Sequence, residues 1–214
     1  MTATTLAAIS LLLWIYLVGA RGGFWQAADR DDDGPTPLAW PKVIAVIPAR
    51  DEAEGIGQTV GSLLGQDYPG DFSIILVDDE SSDGTAGVAE LAAAEAGGSD
   101  RLTVIPGAAR PPGWTGKLWA MQQGAARADA AAPEFLLHTD ADIVCRPDVL
   151  RRLVSKAVEE GLVLSSLMAK LRCESSPERA LIPAFIFFFQ MLYPFSWVSD
   201  RRSRTAAAAG GCML

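Results

Sequence analysis

Residues 42–79 read KVIAVIPARDEAEGIGQTVGSLLGQDYPGDFSIILVDD, and this stretch decides the fold. KVIAVIPA is a short β-branched run of strand type. After Asp51 the apolar residues change period, with Ile56, Val60, Leu63 and Leu64 at helical spacing and a turn signal at QDYPG. FSIILVDD is a second strand. A strand, a helix and a second strand in this order predict one parallel crossover unit.

The pattern continues outward. Asp83 stands where it can cap a helix carrying Val88 and Leu91, LTVIPG is a third strand, and GKLWAMQQGAARA a third helix. EFLLHTDAD is a fourth strand. PDVLRRLVSKAVEEG comes next as a helix with Pro147 in its first turn, and LVLSSLMAKL, residues 162–171, reads as another strand. The expected architecture is α/β, a mostly parallel sheet with helices on both faces. Ligands of such sheets bind off the carboxyl ends of the strands. There the sequence places ARDE after the first strand, DDESSDGT after the second and DAD after the fourth.

The 214 residues suffice for one sizeable core, and half of them are hydrophobic. A formal charge of -8 argues against nucleic acid as the main partner. It leaves anionic ligands open, because helix N-termini and local basic groups bind phosphate whatever the net charge. Three cysteines, Cys145, Cys173 and Cys212, have no paired spacing, which argues against a disulfide scaffold or a zinc site and favours a reducing cytosol.

From Thr2 to Ala20 there is no charge, and the run is long enough to reach across a hydrocarbon core of ~30 Å. A cleavable signal peptide is the rival reading. It normally starts with a positive region, whereas here the first positive charge, Arg21, comes after the apolar run. Residues 1–20 therefore read as an uncleaved transmembrane anchor, with the chain beyond Arg21 in the cytoplasm. Residues 21–41 read as a linker, the acidic run Asp31–Asp33 being part of a solvated tether. The stretch 180–199 is again uncharged and aromatic-rich, but Pro183 and Pro194 interrupt a straight spanning helix. With Arg201–Arg204 beside it, it reads as lying in the membrane interface or lining a lipid-facing groove; a buried core helix is the alternative.

Several catalytic patterns are absent. GIGQTVG begins well past the strand end, so it does not make a dinucleotide fingerprint, and there is no phosphate-binding loop of the G-x-x-x-x-G-K-[ST] type and no G-x-S-x-G. The single histidine, His138, sits within a strand and reads as a packed residue. In HTDAD an extended backbone puts Asp140 and Asp142 on one face, where two like charges repel unless a cation lies between them. Hard Mg²⁺ or Mn²⁺ takes such oxygen ligands together with phosphates, and acts as a Lewis acid on a leaving diphosphate such as that of a sugar nucleotide. Asp78 and Asp79 are placed to accept hydrogen bonds from a base or ribose. Each element alone has a plain reading as a turn or cap.

VIPARDEAEGI, ILVDDESSDGT, GWTGKLWAMQQG and HTDAD, in this order, resemble a family 2 glycosyltransferase of GT-A fold. PPGWTGKLWAMQQG with the apolar N-terminus is similar, more narrowly, to the hopanoid-associated glycosyltransferases of bacteria. The resemblance runs from about Lys42 to Leu214. It implies a GT-A nucleotide-sugar-binding domain over residues 42–179, and an aromatic interface segment with the start of an acceptor region over 180–214. By the same resemblance Pro48, Ala49, Glu52, Asp78, Asp79, Lys117 and Asp140 bind the nucleotide sugar, and Asp140 with Asp142 holds Mn²⁺ or Mg²⁺.

Relatives often carry Asn near the position of Gln122, so this sequence departs from them there. They also place a catalytic carboxylate downstream of the segment that AAAAGGCML resembles, so the base is expected beyond Leu214 and the chain reads as an N-terminal portion. The implied activity is inverting transfer of a sugar, most simply UDP-linked, to a lipid acceptor at the inner membrane. A non-catalytic nucleotide-sugar-binding module, and a membrane scaffold whose acidic clusters are only caps, remain the alternatives.

Overall fold

A computed structural model describes residues 2–26 and 36–214. The acidic run Asp31–Asp33 lies outside the described residues. The chain divides into two compact units, one formed by residues up to 26 together with 170–207, the other by residues 36–169 together with 208–214.

The larger unit is built on a five-stranded sheet. Strands β1 (Val43–Ala49), β2 (Phe72–Asp78), β3 (Leu102–Pro106), β4 (Phe135–Thr139) and β5 (Cys212–Met213) lie in the order β3-β2-β1-β4-β5. β1 runs parallel to both β2 and β4, β2 runs parallel to β3, and β5 is antiparallel to β4. Alternate residues of β1 point to opposite faces. Val43, Ala45, Ile47 and Ala49 enter the larger core with Ile56, Val60, Leu63 and Leu64 of α2 (Ile56–Leu64). Ala89 and Ala93 of α3 (Thr85–Glu95) and Leu150, Leu153, Val154 and Ala157 of α5 (Val149–Glu160) complete it.

On the other face Ile44, Ile75 and Val77 pack against Ala120 and Ala128 of α4 (Gly116–Asp129). Between those alanines Gly124 lies so close to the sheet that a Cβ there would stand 2.4 Å from Val46 Cγ1. The small residues at 120, 124 and 128 let α4 lie close on β1 and β2. Helices thus cover both faces of a mostly parallel sheet, as the sequence pattern predicts.

Four local expectations change. Residues 162–171 do not form a full strand: Ser166 alone bridges Met213, flanked by Ser165 N–H to Leu214 O (2.8 Å) and Leu167 N–H to Cys212 O (3.0 Å). The alternation is right, but the partner strand β5 is two residues long and offers no longer ladder. Pro147 precedes α5 rather than starting it, with Asp148 at the N-cap. Gly84 in the left-handed region (φ 88°) takes the N-cap of α3, and Asp83 caps from just outside, accepting the Thr85 N–H at 3.0 Å. The fourth strand ends at Thr139, before both aspartates. Cys145 and Cys212 are buried and Cys173 is exposed.

The smaller unit contains α1 (Ala3–Ala20), α6 (Ser176–Leu192) and α7 (Phe195–Val198). α1 is uncharged with no buried residue, and α6 starts at a capping box in which Ser175 and Glu178 satisfy each other's backbone amides. α6 continues through Pro183 instead of ending there. Ala3–Ala20 and Ser176–Val198 are long and apolar enough to cross a membrane by length and composition. The Arg21 guanidinium closes the C-terminal end of α6, donating to Met191 O (3.0 Å) and Leu192 O (2.9 Å), and lies 5.0 Å from the centre of the Trp197 ring. Phe24 meets Phe187 edge to face at 5.2 Å.

Candidate functional site

The chain goes from β1 to β2 and β3 on one side, then returns to place β4 on the other side of β1. That reversal opens a crevice outside the carboxyl ends of β1 and β4, the position where open α/β sheets bind ligands. The three polar clusters of the sequence surround it.

Backbone and side-chain hydrogen bonds join the strand-end loops. Asp79 N–H donates to Ala49 O and Gly107 N–H to Asp78 O, each at 2.8 Å. Asp51, in the left-handed region at φ 52°, accepts the Ser82 N–H at 2.8 Å, while its own N–H donates to Ser81 Oγ at 3.0 Å. Glu52 N–H donates to Thr85 Oγ1 and Ala53 N–H to Asp83 Oδ2, each at 2.9 Å. These bonds aim the Glu52 carboxylate toward the DAD turn. The Thr85 hydroxyl and the Ala53 amide hold the Asp83 carboxyl below its ordinary value.

Asp140 and Asp142 do not project from one face of a strand, because Asp140–Ile143 is a turn, with Ile143 N–H reaching Asp140 O at 3.4 Å. Ala141 between them is buried and the two aspartates are not. The turn is laced from behind by α2 and the residues after it. Thr59 Oγ1 donates to Ala141 O at 2.7 Å, Ser62 Oγ accepts Cys145 N–H at 3.0 Å, and Gln66 bonds both Arg146 O (2.7 Å) and Leu150 N–H (2.9 Å). Asp140 N–H is taken by Gly211 O at 3.2 Å.

Lys117, in the first turn of α4, forms a hydrogen-bonded ion pair with Asp140 Oδ1. Asp79 lies under the same helix end: a Cβ on Gly116 would stand 3.0 Å from Asp79 Oδ2. Arg50 Nη1 approaches that oxygen at 3.7 Å. Glu52 has its carboxyl raised above the ordinary value, first by desolvation and then by the charges of Asp142, Asp83 and Asp140. The site therefore gathers more negative charge than Lys117 offsets. Among the described residues no three His, Cys, Asp or Glu side chains are grouped to enclose a metal. Two oxygen-donor carboxylates in a negative crevice still suit a hard cation whose other ligands come from a phosphate.

Of the residues expected from sequence, Glu52, Lys117, Asp140 and Asp142 come together, and Asp79 borders them. Pro48 and Ala49 contribute scaffold: the Ala49 methyl is in the core and its carbonyl is taken by Asp79. The Asp78 carboxylate accepts the Ser81 N–H at 3.1 Å, closing its own turn. Arg50 and the lacing residues Thr59, Ser62 and Gln66 were not anticipated. A threonine at position 59, within the apolar stripe of α2, was the available signal.

The Glycosyl transferase family 2 model matches residues 44–208. An N-acetylglucosaminyltransferase of Mesorhizobium japonicum is 29% identical over 187 residues, covering 85% of this chain and 39% of the relative. This chain thus spans well under half the length of that curated relative. Among solved structures, the mannosyltransferase PcManGT from Pyrobaculum calidifontis, in complex with GDP-Man and Mn²⁺, superposes with a TM-score of 0.55 at 24% identity, over 87% of this chain and 50% of its own. TarS 1-349 of S. aureus, in complex with UDP, gives a TM-score of 0.50 at 21% identity, over 64% and 38%. At these identities the likeness is one of fold.

Proposed function

This chain belongs to glycosyl transferase family 2, and from that premise we propose that it is the donor-binding part of a membrane-anchored, inverting glycosyltransferase. The donor is a nucleotide sugar, most simply UDP-linked, in keeping with the N-acetylglucosaminyltransferase relative. The acceptor is a lipid hydroxyl of hopanoid type, offered at the cytoplasmic face of the inner membrane to which α1 anchors the chain.

The observation that carries this reading is the Lys117–Asp140 pair at the strand-order reversal, beside Asp142 and Glu52. Asp140 and Asp142 would hold Mn²⁺ or Mg²⁺, which when bound would neutralise charge on the leaving diphosphate. Lys117 is a mobile cation on the first turn of α4, so it can turn from Asp140 to a phosphate oxygen. The positive end of α4 favours the same anion. Asp79 and Asp78 border the nucleoside end. The acceptor hydroxyl attacks the anomeric carbon from the face opposite the diphosphate, so the carbon–oxygen bond to the diphosphate breaks as the glycosidic bond forms with inversion, and the hydroxyl proton passes to a general base that none of the residues above supplies.

The test is titration of UDP, with and without Mn²⁺, into the full chain and into Asp142→Asn. Mn²⁺ is expected to tighten UDP binding to the unaltered chain by at least about tenfold, equivalent to ~1.4 kcal/mol. Asp142→Asn is expected to lose that gain while still binding UDP weakly. UDP binding to the unaltered chain that ignores the metal would overturn the metal assignment. Equal competition by GDP would overturn the uridine assignment.

A further inference from the structure

The connectivity of the sheet determines what the second apolar helix can do at a membrane. β4 and β5 are hydrogen-bonded neighbours, with His138 opposite Met213 and Thr139 opposite Cys212. Residues 165–167 bond to 212–214 as well. The chain therefore leaves one edge of the sheet shortly after Leu167 and rejoins the same edge at Cys212. A folded sheet lies on one side of a bilayer, so the excursion between must cross the bilayer an even number of times or not at all. Among the described residues of that excursion, Ser176–Val198 is the one segment long and apolar enough to cross. One crossing would put β5 on the opposite side from β4. α6 does not cross.

Its surface is nevertheless unsuited to water. Leu181, Phe185, Phe187, Phe188 and Leu192 are all exposed, and no residue of α6 is buried. Its depth is indicated by its C-terminal end, which Arg21 ties to the end of α1. A second tie is the Ser196 hydroxyl donating to Gly22 O. If α1 crosses the bilayer, this junction lies where α1 emerges. Near it Trp25 donates its indole N–H to Val18 O and Trp197 lies under the Arg21 guanidinium, and Arg201, Arg202 and Arg204 come next in the chain. Indole rings and arginines are the side chains that favour the headgroup region, the arginines favouring anionic lipids.

We infer that α6 is a monotopic interfacial helix: it lies in the bilayer leaflet facing the sheet domain, its aromatic face among the upper acyl chains and both its ends on the domain side. The inference rests on the anchoring by α1 proposed above and is independent of sugar transfer.

The full chain in vesicles of phosphatidylcholine and phosphatidylglycerol tests it. A membrane-impermeant maleimide is applied to one side at a time, using the exposed native Cys173 before α6 and Thr205→Cys, in a Cys173→Ser background, after it; Cys145 and Cys212 are buried. Both probes are expected to label from the same side, and Thr2→Cys from the other. A bimane dye on Phe188→Cys, again with Cys173→Ser, is expected to be quenched severalfold more by lipids brominated near the glycerol than near the methyl ends. Cys173 and Thr205→Cys labelling from opposite sides would overturn the inference, as would deepest quenching at the bilayer centre. Absence of quenching, meaning that a protein partner or a second copy covers the helix, would overturn it too. Thr2→Cys labelling from the Cys173 side would remove the anchoring premise and the inference with it. A chain that binds no UDP yet shows the expected labelling would count against the nucleotide-sugar reading alone.

Discussion

Thr59 Oγ1 donates a 2.7 Å hydrogen bond to the carbonyl of Ala141, the residue between Asp140 and Asp142. Both partners are buried, so no water replaces the bond if it is lost. Thr59→Val keeps the shape of the side chain and leaves that carbonyl unsatisfied, at a cost of about 1–3 kcal/mol. The expected result is a lower midpoint in urea together with weaker Mn²⁺-dependent binding of UDP, because the turn that presents the two aspartates loses its support. An unchanged metal dependence in a destabilised Thr59→Val would show that the lacing by α2 serves stability only.

Gly124 links packing to the site through α4. Its Cβ position falls 2.4 Å from Val46 Cγ1 and 3.1 Å from Val77 Cγ2, both on strands in the middle of the sheet. Gly124→Ala improves helix propensity by about 1 kcal/mol, but α4 must move off the sheet to make room. Overpacking of this kind costs about 1–3 kcal/mol, so the net change is expected to be destabilising. Lys117 rides on the same helix, so nucleotide binding is expected to weaken as well. Thermal melting with a parallel UDP titration checks both; a stabilised Gly124→Ala with normal binding would show that α4 adjusts freely.

Much of this arrangement was legible in the sequence because local period and burial agree. Ile56, Val60, Leu63 and Leu64 could face one way only on a helix, and the β-branched runs at 43–49 and 72–78 are buried strands. Residues 162–171 show the limit. Their alternation suits a strand, but a strand also needs a partner ladder, and β5 supplies only two residues. The aspartate pair at 140 and 142 was found for a geometry it does not have: the turn brings it to the crevice, and the extended-strand argument does not apply. The adjacency of β1 and β4, which creates the crevice, is a matter of strand order over about a hundred residues. No local signal encodes it, and the lacing of the 140–143 turn by α2 depends on it.

Glu52 is a carboxylate held in an unfavourable field. Its folded value is raised, so the charged form is less welcome in the folded chain than in the unfolded one. Ionised Glu52 therefore lowers stability at neutral pH, and the loss is recovered as pH falls through its raised value. Without metal, Glu52→Gln is expected to melt higher than the unaltered chain at pH 7, the difference disappearing in acid. With Mn²⁺ and UDP the ranking should narrow or reverse, because a bound cation compensates the repulsion that Gln removes. Equal melting of the two metal-free proteins across this range would mean that neither burial nor the charges of Asp142, Asp83 and Asp140 disfavour ionised Glu52.

His138 gives the opposite pH response. It lies on β4 opposite Val46 and Met213, its Nδ1 has no hydrogen-bond partner among the described residues, and burial lowers its proton affinity. Neutral imidazole is therefore the folded form. As pH falls below about 6.5 the unfolded chain binds a proton that the folded chain refuses. Stability is expected to decline from that pH downward until the lowered folded value is passed, and to be flat above it. His138→Gln cannot take up the proton and should remove the decline between pH 7 and the folded value, even if its melting temperature is lower throughout. Denaturant midpoints measured at intervals across this window separate the two curves. A parallel decline in His138→Gln would assign the sensitivity to another group.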